Sequence, residues 1–146
     1  FEIKAKNVKL NRTTISHNIL EQITDYHLSL IGSVERTTVS THQDRLNHIP
    51  DFIFTNTNGN KINIEIELSK KSAPRYTKLM QDVAKDNPDA IIYILDSKTK
   101  IKSFASIMPK WHKLFFISID ELIKNINELG QIKPLAQEAS LFESPI

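Results

Sequence analysis

The chain has 146 residues, of which 40% are hydrophobic and 25% are charged, a composition far from that of a disordered protein and typical of one folded domain. Cysteine is absent, so any metal must be held by oxygen or imidazole ligands, which favours hard ions such as Mg²⁺ or Mn²⁺. The 19 basic and 17 acidic residues nearly balance. Since no apolar run reaches the roughly 20 residues that cross a bilayer, we expect a cytoplasmic protein with no membrane partner.

The first half of the chain predicts a helix, a strand and a hairpin. Capping residues precede a segment, 14–31, whose apolar side chains recur at helical spacing, and Gly32 ends this amphipathic helix. Its predicted apolar stripe consists of Ile15, Ile19, Ile23, Tyr26 and Leu30. Residues 33–39 are then predicted to be a strand, and residues 50–55 and 61–68 a hairpin with an Asn-Gly tip.

The second half alternates helices and strands. A helix is predicted from about Ala73 to Lys85, and residues 90–95 are apolar throughout, which predicts a central strand buried on both faces. The remaining elements are a short helix near Phe104, a strand at 113–118 and a helix at 119–129, before a weakly patterned tail. The order helix, three strands, helix, strand, with a helix and a strand appended, predicts an α/β fold with a mixed sheet flanked by helices.

The register of the hairpin decides which side chains share a face. A three-residue loop with Gly59 in the left-handed conformation places Phe52 opposite Ile64 and Asp51 opposite Glu65. One face is then wholly apolar, whereas a loop shorter by one residue would mix apolar and acidic side chains on both faces. The apolar match therefore selects the first register. Its other face carries three carboxylates, which belong to Asp51, Glu65 and Glu67.

Three carboxylates this close repel one another, and burial would raise their pKa values further. A divalent cation would remove the repulsion. Alternatively, the face is exposed, and Lys61 with neighbouring lysines neutralises the acids. Ile53 lies on the same face and makes it partly apolar, so a cleft is favoured over open surface.

Basic residues follow the hairpin in two runs. Between Ser97 and Ile119 five lysines occur without any acid. The other run follows the paired glutamates directly and consists of Lys70, Lys71, Arg75 and Lys78. Such residues either form the solvated face of a helix or hold a phosphate backbone beside metal-binding carboxylates.

The segments PD at 50–51 and EIE at 65–67, within this order of elements, resemble the PD-(D/E)xK nuclease superfamily over residues 13–96. The resemblance implies a restriction-endonuclease-like core (α-β-β-β-α-β). It also implies that Asp51 and Glu65 ligate Mg²⁺ or Mn²⁺.

One position departs from the family pattern. Glu67 stands where the motif has its lysine, so that either Glu67 is a second catalytic acid or the lysine's role passes to Lys70 or Lys71. The family often adds an acid from the first helix or first strand, and Glu35 is the candidate for this further metal ligand.

Four segments are similar to the nuclease-like domain of plasmid mobilisation and replication-relaxation proteins, including relaxases of the MobC type: TISHNILEQI at 14–23, SVERTT at 33–38, HIPDFIF at 48–54 and INIEIELSKKSAPRYTKLM at 62–80. This likeness implies an endonuclease that nicks DNA at a plasmid transfer origin, with relaxosome proteins as partners. It also implies a DNA-binding domain ahead of this one. Because the chain begins at Phe1 and not at methionine, we expect residues 1–146 to be a single nuclease-like domain of a longer chain.

The resemblance implies the following chemistry. Metal on Asp51 and Glu65, helped by Glu67 or Glu35, would activate water and neutralise the scissile phosphate, and Lys70 or Lys71 would stabilise the developing charge. The residues expected to contact DNA are Arg75, Lys78, His17 and Lys70. Two alternatives stay open: a restriction- or repair-type nuclease that cuts both strands, and a catalytically inactive DNA- or partner-binding module of a relaxosome.

Overall fold

A mixed β-sheet with helices on both faces is built from residues 12–37 and 48–138, the part of the chain that this computed structural model describes. The helices are α1 (Arg12–Ser29), α2 (Ala73–Asp86), α3 (Ile101–Ile107) and α4 (Ile119–Leu129), and a short 3-10 helix (Lys98–Lys100) leads into α3. The strands are β1 (Ser33–Arg36), β2 (Phe52–Thr55), β3 (Lys61–Ile66), β4 (Ala90–Leu95), β5 (Leu114–Ser118) and β6 (Leu135–Ala136). This succession confirms the predicted element order.

The six strands formed by the described residues follow sequence order across the sheet, β1-β2-β3-β4-β5-β6. The pairs β1-β2 and β2-β3 are antiparallel, β3-β4 and β4-β5 are parallel, and β6 returns antiparallel to β5. The parallel pairs need crossover connections, which α2 and α3 supply. β4 lies in the middle of the parallel part and is buried from Ile91 to Leu95, as its apolar run predicts.

Alternate side chains of the strands build two cores, one on each face of the sheet. The core against α1 and α4 includes Leu28, Ile64, Ile92, Ile117 and Leu122. The core under α2 and α3 includes Tyr76, Met80, Tyr93, Phe104 and Phe116. Because Glu65 pairs with Tyr93, the acid-bearing side of β3 belongs to the second face and is covered by helices. The expected partial covering of the carboxylates is thereby confirmed.

The buried face of α1 differs from the predicted apolar stripe. Three members of that stripe are exposed by 45%, 65% and 57%, namely Ile19, Tyr26 and Leu30. The buried positions lie one residue further round the helix, at Leu20, Thr24 and Leu28. Of the other two, Ile23 is partly buried and the side chain of Ile15 lies outside the described residues. The predicted stripe was wrong because α1 has apolar side chains on more than one side, and only packing against the sheet determines which of them are buried.

Local signals set the ends of α2 and α4 as predicted. The Ser72 hydroxyl accepts the Arg75 N–H at 3.4 Å, and the Ser118 hydroxyl accepts the Glu121 N–H at 3.2 Å, so both helices begin at a serine cap. Gly130 ends α4 in the left-handed conformation with φ of 66°. These caps act between residues close in sequence, which is why the helix limits follow from sequence alone.

The tail after Gly130 contains a strand that its pattern did not predict. Leu135 and Ala136 pair with β5, and the buried Gln137 anchors the segment by accepting the Trp111 N–H at 3.0 Å. A two-residue strand is too short to show a periodicity. At the other edge of the sheet, β1 ends at Arg36, and the last two residues of the predicted strand, 38 and 39, lie outside the described residues.

Candidate functional site

The β2–β3 hairpin has the predicted register. Phe52 pairs with Ile64, Phe54 pairs with Ile62, and Gly59 has a φ of 83° at the turn. This pairing is confirmed, and with it the prediction that the acidic side chains share the face opposite the phenylalanines. A slip of one residue would have directed these carboxylates into an apolar core.

Asp51 lies at the open end of the hairpin, opposite the turn, and is held there by the backbone of β3. Its N–H donates to the Ile64 carbonyl at 3.1 Å, and its Oδ2 accepts the Ile66 N–H at 2.7 Å. A side chain bonded to a strand backbone in this way has little freedom to rotate. The register therefore fixes the Asp51 carboxylate beside Glu65.

Helix α1 reaches Asp51 from the other layer of the fold. Nε2 of His17 lies 3.8 Å from Oδ2 of Asp51, and Nδ1 of the same ring lies 2.9 Å from Oε1 of Glu21. Burial raises the pKa of Asp51, the Ile66 N–H and the charge of His17 oppose the rise, and Glu21 adds to it. His17 was expected to contact DNA, and the structure places it against a carboxylate of the candidate site.

Glu65 is the most buried acid of the candidate site, with 7% of its surface exposed. Oε2 of this residue lies 2.6 Å from Nε2 of His48. Burial raises the pKa of Glu65 to about 7, the hydrogen bond and charge of His48 oppose the rise, and Asp51 and Glu67 add to it. Burial lowers the pKa of His48, but the hydrogen bond and charge of Glu65 outweigh burial, so that the pKa is raised. Glu65 and His48 thus form a hydrogen-bonded pair in which the pKa of each group is raised.

Glu67 forms a separate cluster with Lys71 and Tyr76. Nζ of Lys71 contacts Oε2 of Glu67, and the hydroxyl of Tyr76 donates to the same oxygen at 3.2 Å. That hydroxyl also accepts the Lys71 N–H at 3.0 Å, and Nζ of Lys71 lies 5.8 Å from the centre of the tyrosine ring. Burial raises the pKa of Tyr76, so its hydroxyl stays protonated and able to donate. Lys71 is thus held next to Glu67, and the negative charge of Glu67 is paired with that lysine.

The remaining predicted site residues lie in different parts of the fold. Lys70 lies beside α3, where its Nζ donates to the Ser103 hydroxyl at 2.5 Å, and Arg75 and Lys78 are exposed on α2. Glu35 is exposed and pairs with Ile53, which lies two residues along the strand from Asp51. The acid whose charge acts on Asp51 is Glu21 instead.

Three residues of this arrangement were missing from the predicted site: His48, Glu21 and Tyr76. His48 stands in the segment HIPD just ahead of Asp51, and this closeness in sequence was a usable signal. Glu21 follows His17 by one helical turn, which places both side chains on one face of α1. Tyr76 follows Arg75 close to the predicted site, but it was interpreted as a packing residue, the commoner role of a buried tyrosine on a helix.

The donor set is compatible with a hard divalent cation. Asp51 and Glu65 both have raised pKa values, and the charge of Asp51 adds to the rise for Glu65, so a cation bound by both would offset burial and mutual repulsion. Within residues 12–37 and 48–138, however, no group of three or more acidic or imidazole side chains converges on a metal position. Instead, His48 is hydrogen-bonded to Glu65, and His17 lies at ion-pair distance from Asp51.

Comparison with known proteins leaves the family open. No protein-family model matches the chain, and no curated protein matches it significantly. Among the helices of the described residues, none is both long and apolar enough to cross a membrane.

Proposed function

We propose that this chain is a metal-dependent DNA phosphodiesterase of the PD-(D/E)xK type, acting as a strand-nicking relaxase in plasmid mobilisation. The observation that carries the proposal is the burial of Glu65 near Asp51 at the open end of the β2–β3 hairpin, with Lys71 on the segment that follows β3. Placing the buried Glu65 carboxylate near the partly buried Asp51 does not stabilise the fold, because desolvation makes both ions costly. A divalent cation bound by the two carboxylates would offset this cost.

The order of elements supports the family part of the proposal. Helix α1, strands β1 to β3, helix α2 and strand β4 follow one another as in the α-β-β-β-α-β core. Asp51 stands immediately before β2 and Glu65 late in β3, as the Asp and the first acid of the second pair do in the motif. Lys71 lies four residues after Glu67 and reaches back to it, which offers a lysine for the position that Glu67 occupies.

Asp51 and Glu65 would hold Mg²⁺ or Mn²⁺, which when bound lowers the pKa of a water ligand and neutralises phosphate charge. The chain's own residues then have distinct tasks. The Ile66 N–H orients Asp51, Tyr76 and Glu67 orient the ammonium of Lys71, and that ammonium stabilises negative charge on the phosphate.

A second candidate, an inactive DNA- or partner-binding module, is favoured by one observation. Glu65 and Glu67 each already have a partner from the chain itself: His48 bonds Glu65, and Lys71 bonds Glu67. Carboxylates neutralised in this way keep the fold without a metal. The two candidates therefore differ in whether a divalent cation displaces these partners.

The deciding experiment incubates supercoiled plasmid with the protein and Mn²⁺ or Mg²⁺, beside Asp51→Asn, Glu65→Gln and the control Glu128→Gln, whose side chain is exposed on α4. Nicked circles from the wild type and the control, absent from both site variants, are the expected result. Linear plasmid as the product would instead indicate a nuclease that cuts both strands. No cleavage together with an unchanged melting temperature on adding metal would favour the binding module.

A further inference from the structure

A cleft of about 300 Å³ lies at the turn end of the β2–β3 hairpin, on the sheet face that packs against α1 and α4, and we call it the turn-end cleft. The strand side chains that line it are Phe54, Ile62, Ile92 and Phe115. Glu65 lies toward the other end of β3 and on the opposite face, so this cleft is separate from the candidate site. Since a cavity of about 150 Å³ admits benzene, the cleft has room for a large apolar side chain.

Apolar side chains project beside the turn-end cleft. Leu30 is 57% exposed, and the next residue, Ile31, lines the cleft. Leu129 is 49% exposed, and it precedes Gly130, which lines the cleft as well. Tyr26, exposed by 65%, lies one helical turn before Leu30 on the same side of α1. Three of the four large hydrophobic side chains that are exposed among the described residues therefore stand near the ends of α1 and α4, beside this cleft.

The border of the turn-end cleft is close to neutral. None of the described residues that line it is ionisable. The charged residues within two positions of the lining are three basic and two acidic, namely Lys61, Lys113, Lys133, Asp89 and Glu128. A surface that meets its own copy sets like charge against like charge, so a strongly charged patch would repel a second copy. This patch would not.

The polar part of the lining suits a contact between identical surfaces. Asn58 and Gln131 line the cleft and are exposed. An amide group both donates and accepts hydrogen bonds, so it can pair with an amide of an identical surface. About a two-fold axis one patch serves both partners and must contain each feature together with its complement. The turn-end cleft meets this requirement, because a recess, projecting apolar side chains and amides lie side by side.

We propose that two copies of this chain associate about a two-fold axis through the turn-end cleft, each placing apolar side chains of its helix ends, Tyr26, Leu30 and Leu129, against the cleft of the other. The inference does not depend on the proposed function, and the candidate site lies outside the contact. A stable interface buries about 800 Å² on each partner, and this patch supplies only its apolar centre. We therefore expect a weak dimer, with a Kd of about 1–100 μM.

Sedimentation velocity over a protein concentration series that spans the micromolar range, without metal, measures the association. Leu30→Gln and Leu129→Gln each remove a projecting side chain, and Ala90→Leu fills the cleft from β4 and leaves those side chains in place. The control is Ile19→Gln, since Ile19 is 45% exposed on the same helix but lies three turns before Leu30. Circular dichroism and melting temperature establish that every variant is folded.

We expect each of the three cleft variants to raise the Kd of the dimer by about tenfold or more, while Ile19→Gln stays near the wild type. Cross-linking tests the location independently. The chain has no cysteine, so Gln131→Cys introduces a single thiol at the cleft, and Lys102→Cys introduces one on α3 on the other face of the sheet. A short bismaleimide should link two copies of the first variant and leave the second as a monomer.

Three results would overturn the inference. The first is a wild type that stays monomeric throughout the series. The second is a dimer that the cleft variants leave intact or that Ile19→Gln weakens equally, because the contact would then lie on another surface. The third is a monomer in which the fluorescent apolar probe anilinonaphthalene sulfonate binds the wild type but not Ala90→Leu, which would assign the cleft to a small apolar ligand.

Discussion

Replacing Glu65 by glutamine should make the free energy of unfolding less dependent on pH. Burial raises the pKa of this carboxyl from 4.5 to about 7 in the folded state. Each pKa unit is worth about 1.4 kcal/mol, so the ionised side chain costs the fold about 3 kcal/mol relative to its protonated form. The glutamine keeps the size of the side chain and removes the ionisation.

The sign follows from the order of the two pKa values. Below pH 4.5 the carboxyl is protonated in both states, and the fold carries no penalty. As pH rises toward 7 the unfolded chain releases the proton first, so stability falls until the folded state ionises too. His48, whose folded pKa is also raised, acts in the same direction, because the stability that it contributes is present at low pH and is lost as pH rises through that pKa.

Urea unfolding at pH 5 and pH 8 measures the effect. We expect the wild type to be less stable at pH 8 by roughly 2 to 3 kcal/mol from Glu65 alone, and the Glu65→Gln variant to lose clearly less. The exposed Glu128→Gln serves as control and should follow the wild type. Equal pH dependence in all three proteins would refute the reasoning, because it would mean that the carboxyl is not desolvated as described.

Further outcomes follow from the same geometry. Mn²⁺ should raise the melting temperature of the wild type at pH 8, and differential scanning fluorimetry should find no rise in Asp51→Asn; a rise in both would place the metal elsewhere. Tyr76→Phe should lower the free energy of unfolding by about 1 kcal/mol and slow plasmid nicking, since it removes the hydroxyl bonded to Glu67; nicking at the wild-type rate would assign the tyrosine to packing alone. Gly32→Ala should destabilise the fold by about 1–3 kcal/mol in urea unfolding, because the added Cβ would lie 2.6 Å from the Phe54 ring, and an unchanged midpoint would contradict that contact.

The hairpin register and several helix limits could be predicted from the sequence. Phe52 and Phe54 alternate against Ile62 and Ile64, and the turn at Gly59 leaves one register in which they match. The limits of α4 follow from a serine cap and a closing glycine. These signals are local, since they depend on residues that are neighbours along the chain or across one short turn.

Tertiary structure decided which side of α1 is buried and which partners the acids have. Leu20 is buried while Ile19 is exposed, although both are apolar, because only the packed sheet distinguishes the two sides of the helix. Likewise His48 meets Glu65 across 17 residues of sequence, and His17 meets Asp51 from another layer. Of these contacts, only the closeness of His48 to Asp51 along the chain gave a signal in the sequence.

The candidate site shows both contributions. The sequence by itself determined that Asp51, Glu65 and Glu67 share one face of a hairpin, because strand alternation has a period of two and the turn fixes the register. Only the tertiary structure decided how deeply each acid of this face is buried and that two of them have raised pKa values, because desolvation depends on which layers pack over a strand. It also divided one lysine run between the two ends of the parallel strands, since Lys98 follows β4 and Lys113 precedes β5, and the chain must return to the opposite end before each new parallel strand begins.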